Sequence, residues 1–213
     1  MLRTAVAITA LLVVPATLPA ASPATAKSSA NERTAVRAQQ AEADDRFTFR
    51  AEPISPRVVE DLLSWLSDGP SGPVAAVELD LAFHSNRYSG ELVADPEGWF
   101  RVDTPDPASG VTDWIAYKHL GRLANGVHVL STKQGGGGTG VFMSLLLVTF
   151  DIGDAYGEDG AKHPRLVMTR HVEIPVGDRF DGPIAVTAHE IRIGPGRIAG
   201  DREDEPVRVL HFD

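Results

Sequence analysis

The chain has 213 residues, a net charge of −9 and no cysteine. An acidic chain lacks the basic patches that nucleic acids and anionic membranes require, so the composition argues against both partners. The missing cysteine excludes disulfides, thiolate metal sites, cysteine nucleophiles and a cysteine-linked lipid anchor.

Residues 1–26 have the three parts of a secretory signal peptide. Arg3 supplies a positively charged start, a ten-residue apolar run extends from Ala5 to Val14, and Ala24-Thr25-Ala26 fits the A-x-A cleavage rule. The run is too short to cross a bilayer, which takes about 20 apolar residues. The sequence therefore predicts cleavage after Ala26 and a mature protein that is secreted or periplasmic, without a membrane anchor.

Residues 27–45 form a polar, alanine-rich segment in which Val36 is the one strongly apolar residue. Such a segment buries too little apolar surface to offset the entropy lost on ordering. We therefore expect a disordered linker here, with a frayed helix as the alternative. A single β-rich globular domain is expected over residues 46–213.

One amphipathic helix is predicted over residues 56–67. Ser55 is a good N-cap residue, Pro56 suits the first helical position, and Asp68-Gly69-Pro70 ends the pattern. The apolar residues recur at helical spacing: Val58, Val59, Leu62, Leu63, Trp65 and Leu66. We expect this face to pack on a sheet.

The chain after Pro73 reads almost entirely as strand, about eight strands in all. Alternation predicts one strand over Val77 to Phe83, Asn125-Gly126 predicts a two-residue hairpin loop, and residues 141–150 suit a strand buried on both faces. Further strands are predicted over residues 98–103, 114–123, 127–132, 166–176, 184–193 and 207–212. No helix-sized crossover separates the strands, so antiparallel pairing is expected. The predicted fold is mainly β (α+β), an antiparallel sheet that is curled or forms a two-layer, barrel-like sandwich.

A run of glycines follows Gln134 and is the first candidate for ligand binding. Successive glycines can present backbone N–H groups to an anion, and a neighbouring lysine would add positive charge. The segment after the run reads as strand and no G-K-[ST] motif is present, so a plain hairpin loop is the competing interpretation. The candidate ligand-binding residues are Lys133, Gly135, Gly136, Gly137 and Gly138.

Two histidines and a carboxylate form the candidate catalytic and metal site. His171 and Glu173 share one face of their strand, and His189 lies on the next predicted strand. A one-residue shift in register would place His189 opposite His171, and the three side chains would then suit zinc with an open coordination position. Ordinary, partly exposed histidines are the competing interpretation.

Three acidic segments invite other interpretations. Glu78, Asp80 and His84 would share one strand face, although a single strand rarely supplies both carboxylates of a hydrolase. Residues 151–163 and the turn at residues 202–205 are acidic enough to consider calcium, but they do not match the standard calcium loop. Solvated acidic surface is the default interpretation of all three segments.

The sequence therefore favours an exported, monomeric, β-rich domain with a binding or structural role in the cell envelope or secretome. Its partner would be a protein or an envelope component, recognised through loops on a rigid sheet. The alternative is a small metal-dependent exported hydrolase that uses His171, Glu173 and His189. No cofactor is predicted beyond the zinc or calcium considered above.

Export has a direct test. Mass spectrometry of the extracellular or periplasmic protein should show an N-terminus at Lys27 or within a few residues of it, because the cleavage rule is met at Ala24 to Ala26. A cytosolic protein that retains Met1 would contradict the prediction.

Overall fold

The computed structural model describes residues 23–64, 73–82, 88, 90–105, 107–108, 110–156, 160–200 and 205–212. Its helices are α1 (Pro23–Arg46), α2 (Pro56–Asp61) and the single turn α3 (Leu79–Ala82). Its strands are β1 (Thr48–Phe49), β2 (Glu52–Pro53), β3 (Ala76–Glu78), β4 (Leu92–Ala94), β5 (Phe100–Pro105), β6 (Thr112–Arg122), β7 (His128–Gly136), β8 (Phe142–Tyr156), β9 (Lys162–Asp178), β10 (Ile184–Val186), β11 (Glu190–Ile193) and β12 (Arg208–His211).

The fold is mainly β, as predicted, and its strand pairs are antiparallel. Seven strands form the main sheet in the order β3-β9-β8-β7-β6-β5-β4, which does not close into a barrel. A second sheet has the order β10-β11-β12, and β1 and β2 form a separate hairpin. Short connections between sequential strands produce this meander, since hairpins need no crossover.

Strand β8 lies between two hydrophobic cores. Leu146, Val148 and Phe150 face the first core, which also contains residues from the helices. Leu145 and Leu147 face the second core, which is shared with the β10-β11-β12 sheet. We call the first side of the main sheet the inner face and the second side the outer face. The prediction of a strand buried on both faces over residues 141–150 holds for residues 145–148, whereas Phe142 is exposed and the strand continues to Tyr156.

Helix α2 begins where the sequence predicts and ends earlier. The Ser55 hydroxyl accepts a hydrogen bond from the Arg57 backbone N–H at 3.3 Å, and Pro56 occupies the first turn. Leu62 is the C-cap, so the helix stops at Asp61 and does not extend through residue 64. Leu62 and Leu63 are nonetheless fully buried in the inner core. Residues 65–72, with Trp65, Leu66 and the predicted stop signal, lie outside the described residues.

Helix α1 occupies the segment that was expected to be a disordered linker. Val36 and Ala43 are buried in the inner core, and the Gln40 side-chain amide donates a hydrogen bond to the Phe150 carbonyl at 2.6 Å. Arg33 adds an ion pair with Asp154 at 3.0 Å. These partners lie more than a hundred residues away in the chain, so local composition could not reveal them.

Among the described residues, none of the helices combines the length and the apolar character that a membrane span needs.

Two predicted strands and one predicted hairpin loop differ in detail. The strand expected over Val77 to Phe83 is strand only to Glu78, where the chain turns into α3. The hairpin at Asn125 has a three-residue loop, because the Leu123 N–H binds the Val127 carbonyl and Gly126 takes a positive φ of 90°. The strand expected over residues 184–193 is divided into β10 and β11, which pair with each other.

Candidate functional site

His171, Glu173 and His189 are not brought together in the way that the zinc hypothesis required. Strand β9 pairs with β8 and β3, whereas His189 lies in the turn between β10 and β11 of the other sheet. His171 is the extra residue of a β-bulge, and its Nε2 lies 2.9 Å from the Thr149 hydroxyl. The described residues contain no group of three histidines or carboxylates that could hold a metal ion. The zinc hypothesis depended on pairing between β9 and the strand that follows it, and these strands do not pair.

Glu173 instead connects three parts of the inner face. Its carboxylate accepts hydrogen bonds from the Ser64 backbone N–H at 2.7 Å and the Ser144 hydroxyl at 3.1 Å. Arg170 pairs with the same carboxylate at 3.3 Å, and the Glu173 side chain is only 6% exposed. A buried carboxylate with this many partners holds the chain after α2 against β8 and β9.

The acidic candidates are engaged in ion pairs. Arg165 lies 3.1 Å from a Glu78 oxygen and 3.8 Å from an Asp80 oxygen, so the two carboxylates share a cation. Asp154, from the segment considered for calcium, pairs with Arg33 and with Lys162 at 2.8 Å. His84, residues 157–159 and residues 201–204 lie outside the described residues.

The glycine run is divided between a strand and a loop. Gly135 and Gly136 are the last residues of β7, and a Cβ at Gly135 would lie 2.4 Å from the Trp114 indole nitrogen. Gly137 has a φ of 63°, and its Cβ would lie 2.5 Å from a Val111 methyl carbon. Packing of Trp114 against the bare backbone therefore explains Gly135, and turn geometry explains Gly137.

Lys133 and Gln134 point to opposite faces of the sheet, as successive strand residues must. On the outer face, the Lys133 ammonium lies 3.9 Å from the centre of the Trp99 ring. On the inner face, Gln134 is 4% exposed and its Oε1 has no hydrogen-bond partner. Lys133 and the glycines after Gln134 stand out in the sequence, whereas Gln134 itself does not.

Gln134 lines a pocket at the end of the sheet nearest the glycine loop. The pocket has a volume of about 210 Å³ and lies across β7, β8 and β9. Its lining is largely apolar and comprises Thr132, Gln134, Phe142, Met143, Ser144, Pro175, Gly177 and Asp178. The Thr132 hydroxyl donates to the Ser144 carbonyl at 3.1 Å, so its proton is already used. Gln134 is thus the polar group of this pocket that a ligand could satisfy.

The same face of β7 carries a second polar group, His128, which is fully buried. Its Nδ1 lies 3.2 Å from Nε2 of His119 on β6, and its Nε2 lies 3.4 Å from a carboxylate oxygen of Asp44 on α1. Phe47 stacks on His119 with ring centres 4.9 Å apart. Alternation along β7 could have revealed that His128, Thr132 and Gln134 share one face, because all three are even-numbered positions of this strand.

Burial controls the ionisation of this chain of three groups. Removal from water, reinforced by the nearby His119 and Arg122, lowers the pKa of His128 to about 3. Burial also lowers the pKa of His119, although a hydrogen bond to the Gly121 backbone opposes the change. Burial raises the pKa of Asp44, although Arg122 opposes the change. The histidine pair is therefore neutral near pH 7 and joins α1 to the main sheet.

Comparison of the chain with protein-family models, with curated proteins and with solved structures finds no match. The function is accordingly argued from the geometry of the pocket and the surfaces alone.

The glycine loop yields a prediction about stability. Gly137→Ala should destabilise the protein by about 1 kcal/mol or more, because alanine is strained at positive φ and its methyl group meets Val111. Gly138→Ala is the matched control, since its Cβ would have no atom closer than 3.9 Å and it should be tolerated. Urea unfolding of both variants tests this. Equal stabilities would show that the loop geometry is wrong.

The buried histidines predict a loss of stability in mild acid. The unfolded chain takes up a proton at His128 below pH 6.5, whereas the folded chain resists it until about pH 3. Stability is therefore retained above pH 6.5 and is lost as the pH falls from 6.5 towards 3, by about 2 kcal/mol at pH 5 from this residue. The raised pKa of Asp44 acts in the opposite direction, but only as the pH approaches the range where that carboxyl takes up its proton.

Urea unfolding at pH 7 and pH 5 measures this effect. His128→Gln should reduce the difference in unfolding free energy between the two pH values. His189→Gln, at an exposed turn position, should leave the difference as in the wild type. An unchanged difference in His128→Gln would contradict the assignment.

Proposed function

We propose that this chain is a ligand-binding domain whose pocket at Gln134 takes a small, largely apolar molecule with a hydrogen-bond donor. The observation that carries the proposal is the buried Gln134 amide, whose Oε1 lacks a partner. An unsatisfied buried polar group costs about 1–3 kcal/mol, which a protein recovers when a ligand supplies the missing donor. Apolar pockets with a few convergent polar groups are typical small-molecule sites.

Among the described side-chain atoms that are buried without a partner, Gln134 Oε1 differs from the others. Gln39 Oε1, Arg57 Nε and Arg208 Nε belong to residues that are themselves partly exposed. Gln134 belongs to a residue that is buried as a whole and that lines an open pocket. Gln134 Oε1 is therefore the unpaired atom of a buried residue that lies beside a pocket.

The pocket also limits the ligand. A volume of about 210 Å³ equals that of about seven water molecules. Phe142, Met143 and Pro175 provide an apolar wall. Asp178 lies at the rim, and its pairing with Arg179 lowers the pKa of its carboxyl, so it is ionised near pH 7. These properties favour a neutral ligand, or the neutral end of a larger one.

We further propose that the domain acts outside the cytoplasm, secreted or in the periplasm. The charged start, the short apolar run and the cleavage motif at residues 1–26 support this location. Small amphipathic molecules of an envelope or its surroundings would then be the ligands available to the pocket.

Gln134→Met tests the pocket. The substitution conserves shape and removes the unsatisfied oxygen, so stability should be unchanged or should rise by up to about 1 kcal/mol. Hexanamide, which has N–H donors, should bind the wild type more tightly than 2-hexanone, which has none, and this preference should vanish in Gln134→Met. NMR titration that follows the ring signals of Phe142, the lining residue paired with Gln134, reports both affinities.

Lys133→Met is the matched control, because Lys133 is the neighbouring residue on the opposite face. It should leave the hexanamide preference intact. A Gln134→Met variant that loses more than about 1 kcal/mol would show that the amide is already satisfied in the folded protein. Phe142 ring signals that do not move with either compound would show that the pocket does not bind this class of molecule.

A further inference from the structure

The outer face of the main sheet is covered over only part of its width. The second core lies over β7, β8 and β9 and the end of β6, where the β10-β11-β12 sheet packs. Beyond it, a depression of about 240 Å³ remains on strands β4 to β7. Its lining residues are Val93, Asp95, Glu97, Trp99, Arg101, Trp114, Ala116 and Lys133. We call this surface the tryptophan face.

Strand register explains the shape of the tryptophan face. Arg101, Ala116 and Lys133 are paired across β5, β6 and β7 and form one row. The small Ala116 in the centre of the row leaves the depression between two long side chains. Trp114 lies in the next row, where it pairs with Asp103. Trp99 lies two residues before Arg101, so the two tryptophans flank the first row on the same face of the sheet.

Each indole is accompanied by a cation. The Arg101 guanidinium lies 4.3 Å from the centre of the Trp114 ring, and the Lys133 ammonium lies 3.9 Å from the centre of the Trp99 ring. Cation–π contacts at exposed sites are weak. A ligand that stacks on an indole can therefore displace the flexible lysine at small cost.

The backbones of the two tryptophans are well separated on this face. Trp99 directly precedes β5, and residue 103, four positions later, pairs with Trp114 on β6. Extended geometry puts the two tryptophan Cα atoms about 14 Å apart. This spacing suits a ligand that is a chain of rings better than a single small ring.

The face carries charges of both signs. Asp95 and Glu97 supply two negative charges, Arg101 and Lys133 supply two positive charges, and Asp103 beside Trp114 adds a carboxylate that pairs with Arg101 at 2.6 Å. These groups offer both donors and acceptors around two apolar ring surfaces. Neutral sugars have the complementary chemistry, with hydroxyl groups at the edge of each ring and C–H groups on its faces. A protein partner fits less well, because the cores of protein interfaces are depleted in lysine, aspartate and glutamate.

We infer that the tryptophan face binds a neutral oligosaccharide chain, with sugar rings stacked on Trp99 and Trp114. Arg101, Lys133 and the two carboxylates hydrogen-bond the hydroxyl groups. This site is separate from the pocket at Gln134, which opens on the inner face, and does not depend on it.

Affinity gel electrophoresis tests the inference with four neutral polysaccharides: hydroxyethyl cellulose, xylan, laminarin and mannan. At least one of them should retard the wild type. Trp99→Ala should weaken the retardation at least tenfold in polysaccharide concentration, since it removes one stacking surface. Lys133→Ala, which leaves both indoles in place, should weaken it less. Tyr156→Ala removes an aromatic ring that is 75% exposed on another part of the sheet, and it should have no effect.

Far-UV circular dichroism and thermal unfolding show whether Trp99→Ala is folded. Trp99→Phe serves as a second variant, because it retains an aromatic surface and should keep part of the binding. Three results would overturn the inference: no retardation by any of the four polysaccharides, retardation that folded Trp99→Ala retains in full, or retardation only by the anionic polysaccharides alginate and heparin.

Discussion

The double burial of strand β8 is the constraint on which the rest of the structure depends. Its consecutive residues Leu145 to Val148 are all buried, so neither face of the central sheet can be left to water. Each of these side chains contributes about 1.5–3 kcal/mol when it is removed from water. The chain meets this requirement with two different layers, helices on the inner face and a three-stranded sheet on the outer face. Both candidate binding surfaces lie where one of these layers stops short.

Strand β7, the neighbour of β8, carries the polar groups that this arrangement buries. The buried polar residues among those described are His128, Ser131, Thr132 and Gln134, all on this strand. A polar residue on a central strand requires a partner, and His128 and Thr132 have theirs. His128 uses its partners to hold α1, whereas the side-chain oxygen Oε1 of Gln134 has none. One strand thus stabilises the helical layer at one end and forms a pocket at the other.

Much of the architecture could be predicted from the sequence, because local signals determine it. Period-two alternation located the long strands, Ser55 and Pro56 located the start of α2, and the short turns made the sheet antiparallel. The early end of α2, and the fact that α1 is a packed helix and not a disordered linker, could not be predicted. Both depend on contacts with residues far away in the chain, such as Gln40 with Phe150 and Ser64 with Glu173.

The site was harder to predict for the same reason. Only the folded structure shows that the Oε1 atom of Gln134 is buried without a partner. Trp99 and Trp114 are 15 positions apart in the sequence, and the pairing of β5 with β6 brings them to one face of the sheet. The zinc hypothesis required β9 to pair with the strand after it, and the chain instead leaves the main sheet at that point. Pairing partners are tertiary information, which composition and spacing in a single sequence do not contain.

The bulge at His171 has a consequence for how copies of this protein meet one another. Because the sheet is open, its outermost strands present backbone groups that could pair with a strand from another molecule. Strands β3 and β4 at the two edges have only three residues each. Beyond β3, the exposed side of β9 is interrupted by extra residues at His171 and Val176 and by Pro175, which has no N–H to donate. An incoming strand would find no long, regular row of partners, so the protein resists intermolecular sheet growth without closing its sheet into a barrel.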